Sequence, residues 1–300
     1  MRIITIGSAL VDIFIRSDHF SKDRHGIVKI GEVGGKFDVD SFVIKTGGGA
    51  SNTGVGFSRL GFEVATIAET GHDEFSKMVI ADLKKEGVDT SLLIHEKKEE
   101  TGGSVILVLE DGSRAVLVHR GASSMLDPKD INIAEISGAD WVHISSLSGQ
   151  LKTLKHIFAT LRYHNVNVSW NPGSSDLKLL ASGQLPLSEI HAKVLFLNKE
   201  EWEMIEDQQD EIKKKIEQVV ITDGDKGGNV FLNNGMKMRY KALPVEAVDN
   251  TGAGDAFVVG YVTAILRGRS SEDAVRFGAK NSASVVKYFG GKEGLRKKIS

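Results

Sequence analysis

The turn Asp249-Asn250-Thr251-Gly252-Ala253-Gly254-Asp255 runs directly into AFVVGYV at residues 256–262, a stretch typical of an apolar helix. A helix start leaves backbone N–H groups unpaired and carries partial positive charge, so it can bind an anion. The glycines let a phosphate approach the backbone closely. The Asp255 carboxylate would repel that phosphate unless it takes a proton from the attacking group. The segment therefore predicts a phosphoryl-transfer centre, with a plain N-cap turn as the alternative.

The composition is that of an ordinary globular protein, with 41% hydrophobic and 26% charged residues in a chain of 300. The formal net charge of -2 and the lack of a basic stripe give no reason to expect a nucleic-acid partner. The chain contains no cysteine, which excludes disulfides and a cysteine nucleophile. It begins with a strand pattern, and no apolar run reaches the ~20 residues of a membrane span. We therefore expect a cytoplasmic enzyme or binding protein without a membrane partner.

Apolar strands alternate with amphipathic helices along most of the chain. Helix 49–60 is closed by Gly61, and helix 75–86 is closed by Gly87. Strands are predicted at residues 3–6, 64–68, 141–144, 166–170, 194–197 and 219–222. This alternation indicates a mainly parallel sheet that is covered by helices on both faces.

Two regions depart from this alternation. Residues 104–109 and 115–119 flank Asp111-Gly112, which is a hairpin signal. Short extended pieces rich in glycine occur between residue 13 and about residue 45. The segments 13–45 and 98–120 together predict a small antiparallel sheet that forms a lid over the main sheet. Two separate surface hairpins are the alternative.

A second glycine-rich helix start lies at residues 47–54 (GGGASNTG). It lacks both the Gly-Lys-Ser/Thr of a P-loop and the acid that follows a dinucleotide-binding turn by about 20 residues. Close approach of the backbone to a small polyhydroxylated ligand is a better interpretation, with Asn52 as donor and acceptor. Asp12, in the loop predicted after the first strand, would bind two neighbouring hydroxyls, or it is simply a solvated acid.

Asn198 and Glu201 stand three residues apart at a strand-to-helix junction. They suit a capping box, and they also suit a role in holding water on Mg²⁺ beside phosphates; the two interpretations are compatible. Histidine pairs at metal-ligand spacing and a Gly-x-Ser-x-Gly elbow do not occur in the sequence, so metal hydrolase and serine hydrolase functions are not indicated.

Taken together, these segments resemble the ribokinase-like (PfkB) family of carbohydrate kinases, in the same order along the chain. Residues 47–61 (GGGASNTGVGFSRLG) are similar to its N-terminal signature, and DNTGAGD at 249–255 is similar to its C-terminal signature. Residues 198–201 match its Asn-x-x-Glu motif, 221–224 its nucleotide loop and 7–12 its first substrate loop. The resemblance implies a ribokinase-like three-layer α/β sandwich with a mainly parallel central sheet and a small β lid.

The resemblance also implies roles for individual residues. Asp255 would be the catalytic base, and the anion hole would be formed by the N–H groups of Gly252, Ala253 and Gly254. The sugar hydroxyls would be held by Asp12, Gly48 and Asn52. ATP and Mg²⁺ would be bound by Asn198, Glu201, Thr222 and Gly224, with residues 280–291 closing the adenine side. A monovalent cation such as K⁺ would lie near Asp249, Thr251 and the backbone carbonyls of residues 287–291.

The function implied is an ATP-dependent kinase of a small sugar or sugar-like polyol, as one domain of residues 1–300 that forms a homodimer through the lid. A nucleoside kinase, a sugar-phosphate kinase using Arg120, and a non-catalytic binding relative are the alternatives. Three positions depart from the family. Gly49 stands where ribokinase itself has a lysine, so ribose is not implied. Asp223 stands where the nucleotide loop often has an apolar residue. Asn250 replaces the usual threonine, and we expect it to lie away from the ligand.

Overall fold

A computed structural model of the chain describes residues 1–31, 34–111 and 113–298. Gly112 of the predicted hairpin, residues 32–33 of the segment 13–45 and residues 299–300 lie outside the described residues. The strands are β1 Arg2–Ile6, β2 Leu10–Arg16, β3 Ser21–Lys22, β4 Val28–Lys29, β5 Ser41–Gly47, β6 Glu63–Ile67, β7 Glu69–Thr70, β8 Ile94–His95, β9 Gly103–Val108, β10 Arg114–His119, β11 Trp141–Ile144, β12 Asn167–Trp170, β13 Val194–Asn198, β14 Gln218–Thr222, β15 Gly228–Leu232 and β16 Lys237–Tyr240. The α-helices are α1 Gly49–Arg59, α2 Glu74–Lys85, α3 Ile133–Ser137, α4 Leu151–Tyr163, α5 Ser174–Ala181, α6 Lys199–Glu203, α7 Gln209–Lys215, α8 Ala253–Leu266 and α9 Ser271–Val285.

The main sheet has the strand order β16-β15-β14-β13-β12-β11-β1-β6, and all its pairings are parallel except those of β15 with β14 and β16. Successive residues of a strand point to opposite faces of the sheet. Ile3 packs with Phe57 of α1 and Val259 of α8. Ile4, one residue later, packs with Phe158 of α4 on the other face. The predicted three-layer α/β sandwich is confirmed.

Helix α8 is buried along residues 256–264, because it lies between the main sheet and α9. Gly260 permits this close packing, since a Cβ there would come within 2.8 Å of the Gly278 Cα in α9. The packing holds the first turn of α8 beside the carboxyl ends of β13 and β14. None of the helices in the described part of the chain combines the length and the apolar composition needed to cross a membrane.

The lid sheet consists of β10, β9, β2 and β5 in that order. Its β9–β10 hairpin and its β2–β5 pair are antiparallel, but the central pairing of β2 with β9 is parallel. The prediction of a wholly antiparallel lid was therefore wrong in this pairing. The physical reason is that both strands start at the same edge of the main sheet and run away from it in the same direction. β2 follows the carboxyl end of β1. β9 follows Thr101, whose hydroxyl accepts the Gly71 N–H just beyond β7.

Candidate active site

Two connected clefts open at the carboxyl ends of the main-sheet strands. The smaller cleft has a volume of about 260 Å³, and among the residues that line it are Asn198, Glu201, Thr222, Gly252, Gly254 and Asp255. The larger cleft, of about 880 Å³, shares Thr222 and Gly254 with the smaller one and extends to α9. The fold thus brings the predicted catalytic and nucleotide-binding residues around one continuous space.

The turn before α8 can be built only with glycine at position 252. Gly252 has a φ of 73°, and a Cβ there would lie 2.3 Å from the Gly291 Cα. Gly254 is different, because a Cβ on it would meet no protein atom within 4 Å. The first glycine is therefore required by the fold, whereas the second leaves open space at the cleft wall.

Unpaired backbone amides border this open space. In the described residues, no acceptor is found for the N–H groups of Gly252, Gly254 and Asp255. Ala253 N–H donates to the Asn250 carbonyl at 3.3 Å. Two of the three predicted anion-binding amides are thus available, and the Asp255 N–H is a further one that the motif did not indicate.

The Asp255 carboxylate is held by the predicted sugar-binding residue Asn52. Asn52 Nδ2 donates to Asp255 Oδ2 at 2.8 Å. Burial raises the pKa of the Asp255 carboxyl to about 6, the Asn52 hydrogen bond partly opposes this rise, and the charge of Asp12 adds to it. A carboxylate of this pKa can accept a proton from a hydroxyl near neutral pH. The Asn52 Oδ1 is buried without a hydrogen-bond partner among the described residues.

Asp12 lies within strand β2 of the lid sheet, not in a loop as its position after the first strand had suggested. It accepts a hydrogen bond from Ser104 Oγ on the neighbouring strand β9. Gly47 makes room for it, because a Cβ at this position would come within 2.1 Å of Asp12 Oδ2. Burial raises the pKa of the Asp12 carboxyl, and the Ser104 hydrogen bond partly opposes the rise.

The space in front of the first turn of α1 is occupied by another part of the chain, around Ser8. Gly48 has a φ of 94°, and a Cβ there would lie 2.5 Å from the Ser8 carbonyl oxygen. Ser8 also accepts the N–H of Gly49 through its hydroxyl and the N–H of Ala50 through its carbonyl. A Cβ at Gly49 would lie 2.6 Å from Ser145, so a lysine at this position would fit only if Ser145 moved. This helix start is therefore not an open anion site, unlike that of α8.

The larger cleft is bounded by the predicted nucleotide residues Thr222 and Gly224 on one side. The opposite wall comes from Ala279, Ser282, Ala283 and Val286, in part the predicted segment 280–291. Asn250 also lines this cleft, so the expectation that it lies away from the ligand was wrong. Asp223 is not part of the wall; its N–H donates to the Gly227 carbonyl at 2.7 Å in the turn below.

Asn198 and Glu201 form the predicted capping box at the start of α6. Asn198 Oδ1 accepts the Glu201 N–H, and Glu201 Oε2 accepts the Asn198 N–H, each at 2.8 Å. Burial raises the pKa of the Glu201 carboxyl, and the hydrogen bond from Asn198 partly opposes the rise. The two side chains are thus fixed at the wall of the smaller cleft.

Asp249 and Thr251 lie together in front of the α8 turn. Asp249 Oδ1 accepts the Thr251 N–H at 3.0 Å and the Thr251 hydroxyl at 2.8 Å, and Oδ2 accepts the Gly290 N–H at 2.9 Å. Arg114 of the lid sheet donates to the same carboxylate at 2.6 Å. Arg114 could not be found from the sequence, because it stands in a hairpin strand without a motif.

Two further residues of the site directly follow strands of the main sheet. Ser145 follows β11 and borders the space in front of Gly49. Asn171 lines the smaller cleft, and its Nδ2 donates to the Phe196 carbonyl at 3.0 Å. Their positions at the carboxyl ends of β11 and β12 were the only available signal. Arg120 is exposed and donates to Ser148 Oγ at 3.1 Å.

Comparisons with known proteins give one consistent result. The family model described as "pfkB family carbohydrate kinase" matches residues 2–298. The ribokinase of Haemophilus influenzae is 31% identical over 261 residues, which cover 82% of this chain and 82% of that protein. The ATP-dependent ribose-1-phosphate kinase of Halopiger xanaduensis is 26% identical over 299 residues, covering 99% of this chain and 94% of that protein.

Solved structures agree on the architecture. The nucleoside kinase of Methanocaldococcus jannaschii superposes with a TM-score of 0.82 at 24% identity, covering 98% of this chain and 94% of that chain. At this identity the likeness shows the fold alone. It extends over the main sheet, the helices and the lid sheet together.

Proposed function

The chain belongs to the pfkB family of carbohydrate kinases and is a phosphotransferase that acts on a sugar hydroxyl, and we propose that it transfers the γ-phosphoryl group of ATP to a hydroxyl of a small free sugar or sugar-like polyol. The observation that carries the proposal is the arrangement at the start of α8. There, unpaired N–H groups and the raised-pKa carboxylate of Asp255 border the same small cleft.

In this proposal Asp255 is the general base. Its Oδ2 accepts from Asn52, which leaves Oδ1 for the proton of the attacking sugar hydroxyl. The N–H groups of Gly252, Gly254 and Asp255 stabilise the charge that develops on the transferred phosphoryl group. Phosphoryl transfer needs mainly such positioning and electrostatic stabilisation.

The residues at the start of α6 suit Mg²⁺ with ATP. Mg²⁺ keeps several water ligands and binds beside phosphates, so it requires few protein ligands. Glu201 uses only Oε2 in the capping box, which leaves Oε1 for a metal-bound water. Asn198 uses Oδ1 there, which leaves Nδ2 for a phosphate oxygen. When bound, Mg²⁺ would neutralise part of the phosphate charge.

The positions of the phenylalanines favour a free sugar over a nucleoside. Of the phenylalanines of segment 13–45, Phe14 is buried against Phe289, and Phe20 is buried between the lid sheet and β4. Phe42 lies opposite Ile15, on the face of the lid sheet turned away from Asp12. These three side chains are therefore not placed to stack on a base beside Asp255, and the fourth, Phe37, packs against His19.

We further propose that residues 1–300 form one kinase domain, that the lid sheet closes over the sugar, and that the outer face of this sheet pairs with a second copy. One row of that face is apolar on all four strands, since Ile44, Ile13, Val105 and Leu117 lie side by side. Leu117 is 59% exposed. Dependence on ATP and the lack of cysteine suit a cytoplasmic location, which is part of the proposal.

The experiment for the proposed activity measures ADP release from ATP and Mg²⁺ with a panel of pentoses, hexoses, inositols, nucleosides and sugar phosphates, beside the variant Asp255→Asn. The expected result is turnover of one class of free sugar or polyol, reduced in the variant by about 10²–10⁴-fold. Turnover of nucleosides alone would contradict the proposed acceptor. No turnover of any acceptor by a protein that binds ATP would contradict the proposed transfer.

A further inference from the structure

Arg114 connects the lid sheet to the turn in front of α8. It is the first residue of β10, at the tip of the β9–β10 hairpin, on the same face of the lid sheet as Asp12 and Ser104. Its Nη1 donates to Asp249 Oδ1 at 2.6 Å and to Thr251 Oγ1 at 2.8 Å. The Asp249 side chain is only 3% exposed, so its charge depends on protein groups for compensation.

The oxygens of Asp249 are already used. Oδ1 accepts from Arg114 and from two groups of Thr251, while Oδ2 accepts from the Gly290 N–H. A K⁺ ion at Oδ1 would have to share this oxygen with a guanidinium group. Like charges this close repel each other, and water screens the Arg114 side chain only in part, since it is 35% exposed. With the lid in this position, the residues around Asp249 therefore do not fit the monovalent cation that the family resemblance implies.

We propose that Arg114 is a positioning residue that supplies to Asp249 the positive charge expected from a monovalent cation, so that this kinase works without K⁺. The inference rests on the proposed function for its activity measurement. Because the guanidinium comes from the lid, Asp249 receives its counter-charge only when the hairpin tip lies on the α8 turn.

The hairpin tip offers a matched control. Lys22 pairs with Asp111 at the same tip, 2.5 Å apart, and does not contact Asp249. The variant Lys22→Ala removes an ion pair from the tip and leaves Arg114 in place. The variant Arg114→Ala removes the guanidinium. Arg114→Lys keeps a positive charge, but its ammonium stands at the end of a shorter side chain than the Nη1 that contacts both Asp249 and Thr251.

The experiment compares these proteins in tetramethylammonium chloride and in KCl at equal ionic strength, which keeps screening equal. Two quantities are measured: kcat/KM on the sugar found by the ADP-release panel, and the melting temperature of the ligand-free protein. For the original protein and Lys22→Ala, we expect K⁺ to change kcat/KM by less than about twofold and to leave Tm unchanged. For Arg114→Ala, we expect a loss of about 10- to 10²-fold without K⁺, because a buried carboxylate loses its partner. KCl should restore most of this loss and raise Tm, and Arg114→Lys should lie between.

Either of two results would overturn the inference. One is an increase in kcat/KM of the original protein by more than about fivefold in KCl. Because the two salts are compared at equal ionic strength, screening cannot cause such an increase. The other is a loss in Arg114→Ala that is the same in both salts, together with an unchanged Tm. The melting experiment needs no acceptor, so it decides about Arg114 even if no sugar is phosphorylated and the proposed function fails.

Discussion

Replacing Asp255 with asparagine should stabilise the protein while it lowers the rate of the proposed catalysis by about 10²–10⁴-fold. The structure places this carboxylate at the α8 turn, where burial and the charge of Asp12 disfavour its ionised form. An asparagine side chain has nearly the same shape and keeps an oxygen that can accept from Asn52 Nδ2, which donates to Asp255 at 2.8 Å in the structure. The change therefore removes an unfavourable charge and loses little packing.

The magnitude follows from the shift in pKa. The carboxyl group ionises with a pKa of about 6 in the folded protein, against 3.8 for an unperturbed aspartate. Each unit corresponds to about 1.4 kcal/mol, so the shift corresponds to about 3 kcal/mol. Because Asp255 borders an open cleft, solvent screening reduces the expected gain in unfolding free energy to about 1–3 kcal/mol.

The direction of the pKa shift determines how the unfolding free energy depends on pH. Between pH 3.8 and about 6 the folded state binds more protons at this site than the unfolded state does, so this group lowers stability as pH rises through that window. The gain of Asp255→Asn should therefore be absent near pH 4 and complete above pH 6. Urea unfolding at pH 4, 5, 6 and 8 measures it. Asp210→Asn is the control, because a hydrogen bond from Lys213 lowers the pKa of that carboxyl, and its removal should give no gain. No gain at pH 8, or an equal gain at pH 4, would refute the reasoning.

Four further predictions follow, three from the same site and one from a buried ion pair beside the lid sheet. Gly254→Ala should keep or raise the unfolding free energy, by up to about 1 kcal/mol, yet lower kcat/KM by about 10²-fold, because its methyl group would occupy cleft space beside the free amides. Gly252→Ala should instead lower the unfolding free energy by at least about 1–2 kcal/mol, because of its positive φ; equal behaviour of the two variants in thermal melts would contradict this. The pH profile of kcat/KM should fall on the acid side with an apparent pKa of about 6, set by Asp255, and an acid limb below pH 4.5 would be inconsistent with this base. Lys292→Met should lower the unfolding free energy by about 1–3 kcal/mol, because its buried ammonium, 2.7 Å from the Asp82 carboxylate, joins the lid strand β5 to α2; a change below about 0.5 kcal/mol in urea unfolding would show that the pair contributes nothing.

Much of the fold could be predicted because its signals are local. Six of the eight strands of the main sheet were predicted, and they lie within one residue of their predicted bounds, since each is an apolar run bounded by residues that end strands or cap helices. The pairing of β2 with β9 could not be predicted in the same way. Its direction depends on where two segments about 90 residues apart leave the main sheet, as Asp12 beside Ser104 illustrates.

The same distinction between local signals and contacts of distant segments applies to the site. Asp255, Asn198 and the glycine turns were found from the sequence, because helix starts, caps and positive φ angles leave a mark on a few adjacent residues. The order of these motifs along the chain was enough to indicate the family. The fold alone decided which backbone amides at α8 remain free, and that the start of α1 is filled by Ser8.

The sequence by itself determined the architecture, the location of the phosphoryl-transfer turn and the class of chemistry. Only the tertiary structure decided what surrounds each charge. The pKa of Asp255 depends on burial and on Asn52, which is 203 residues away along the chain. The counter-charge of Asp249 comes from Arg114, at a separation of 135 residues. Electrostatic energy depends on distance and burial in space, and neither of these can be read from the spacing of residues along a chain.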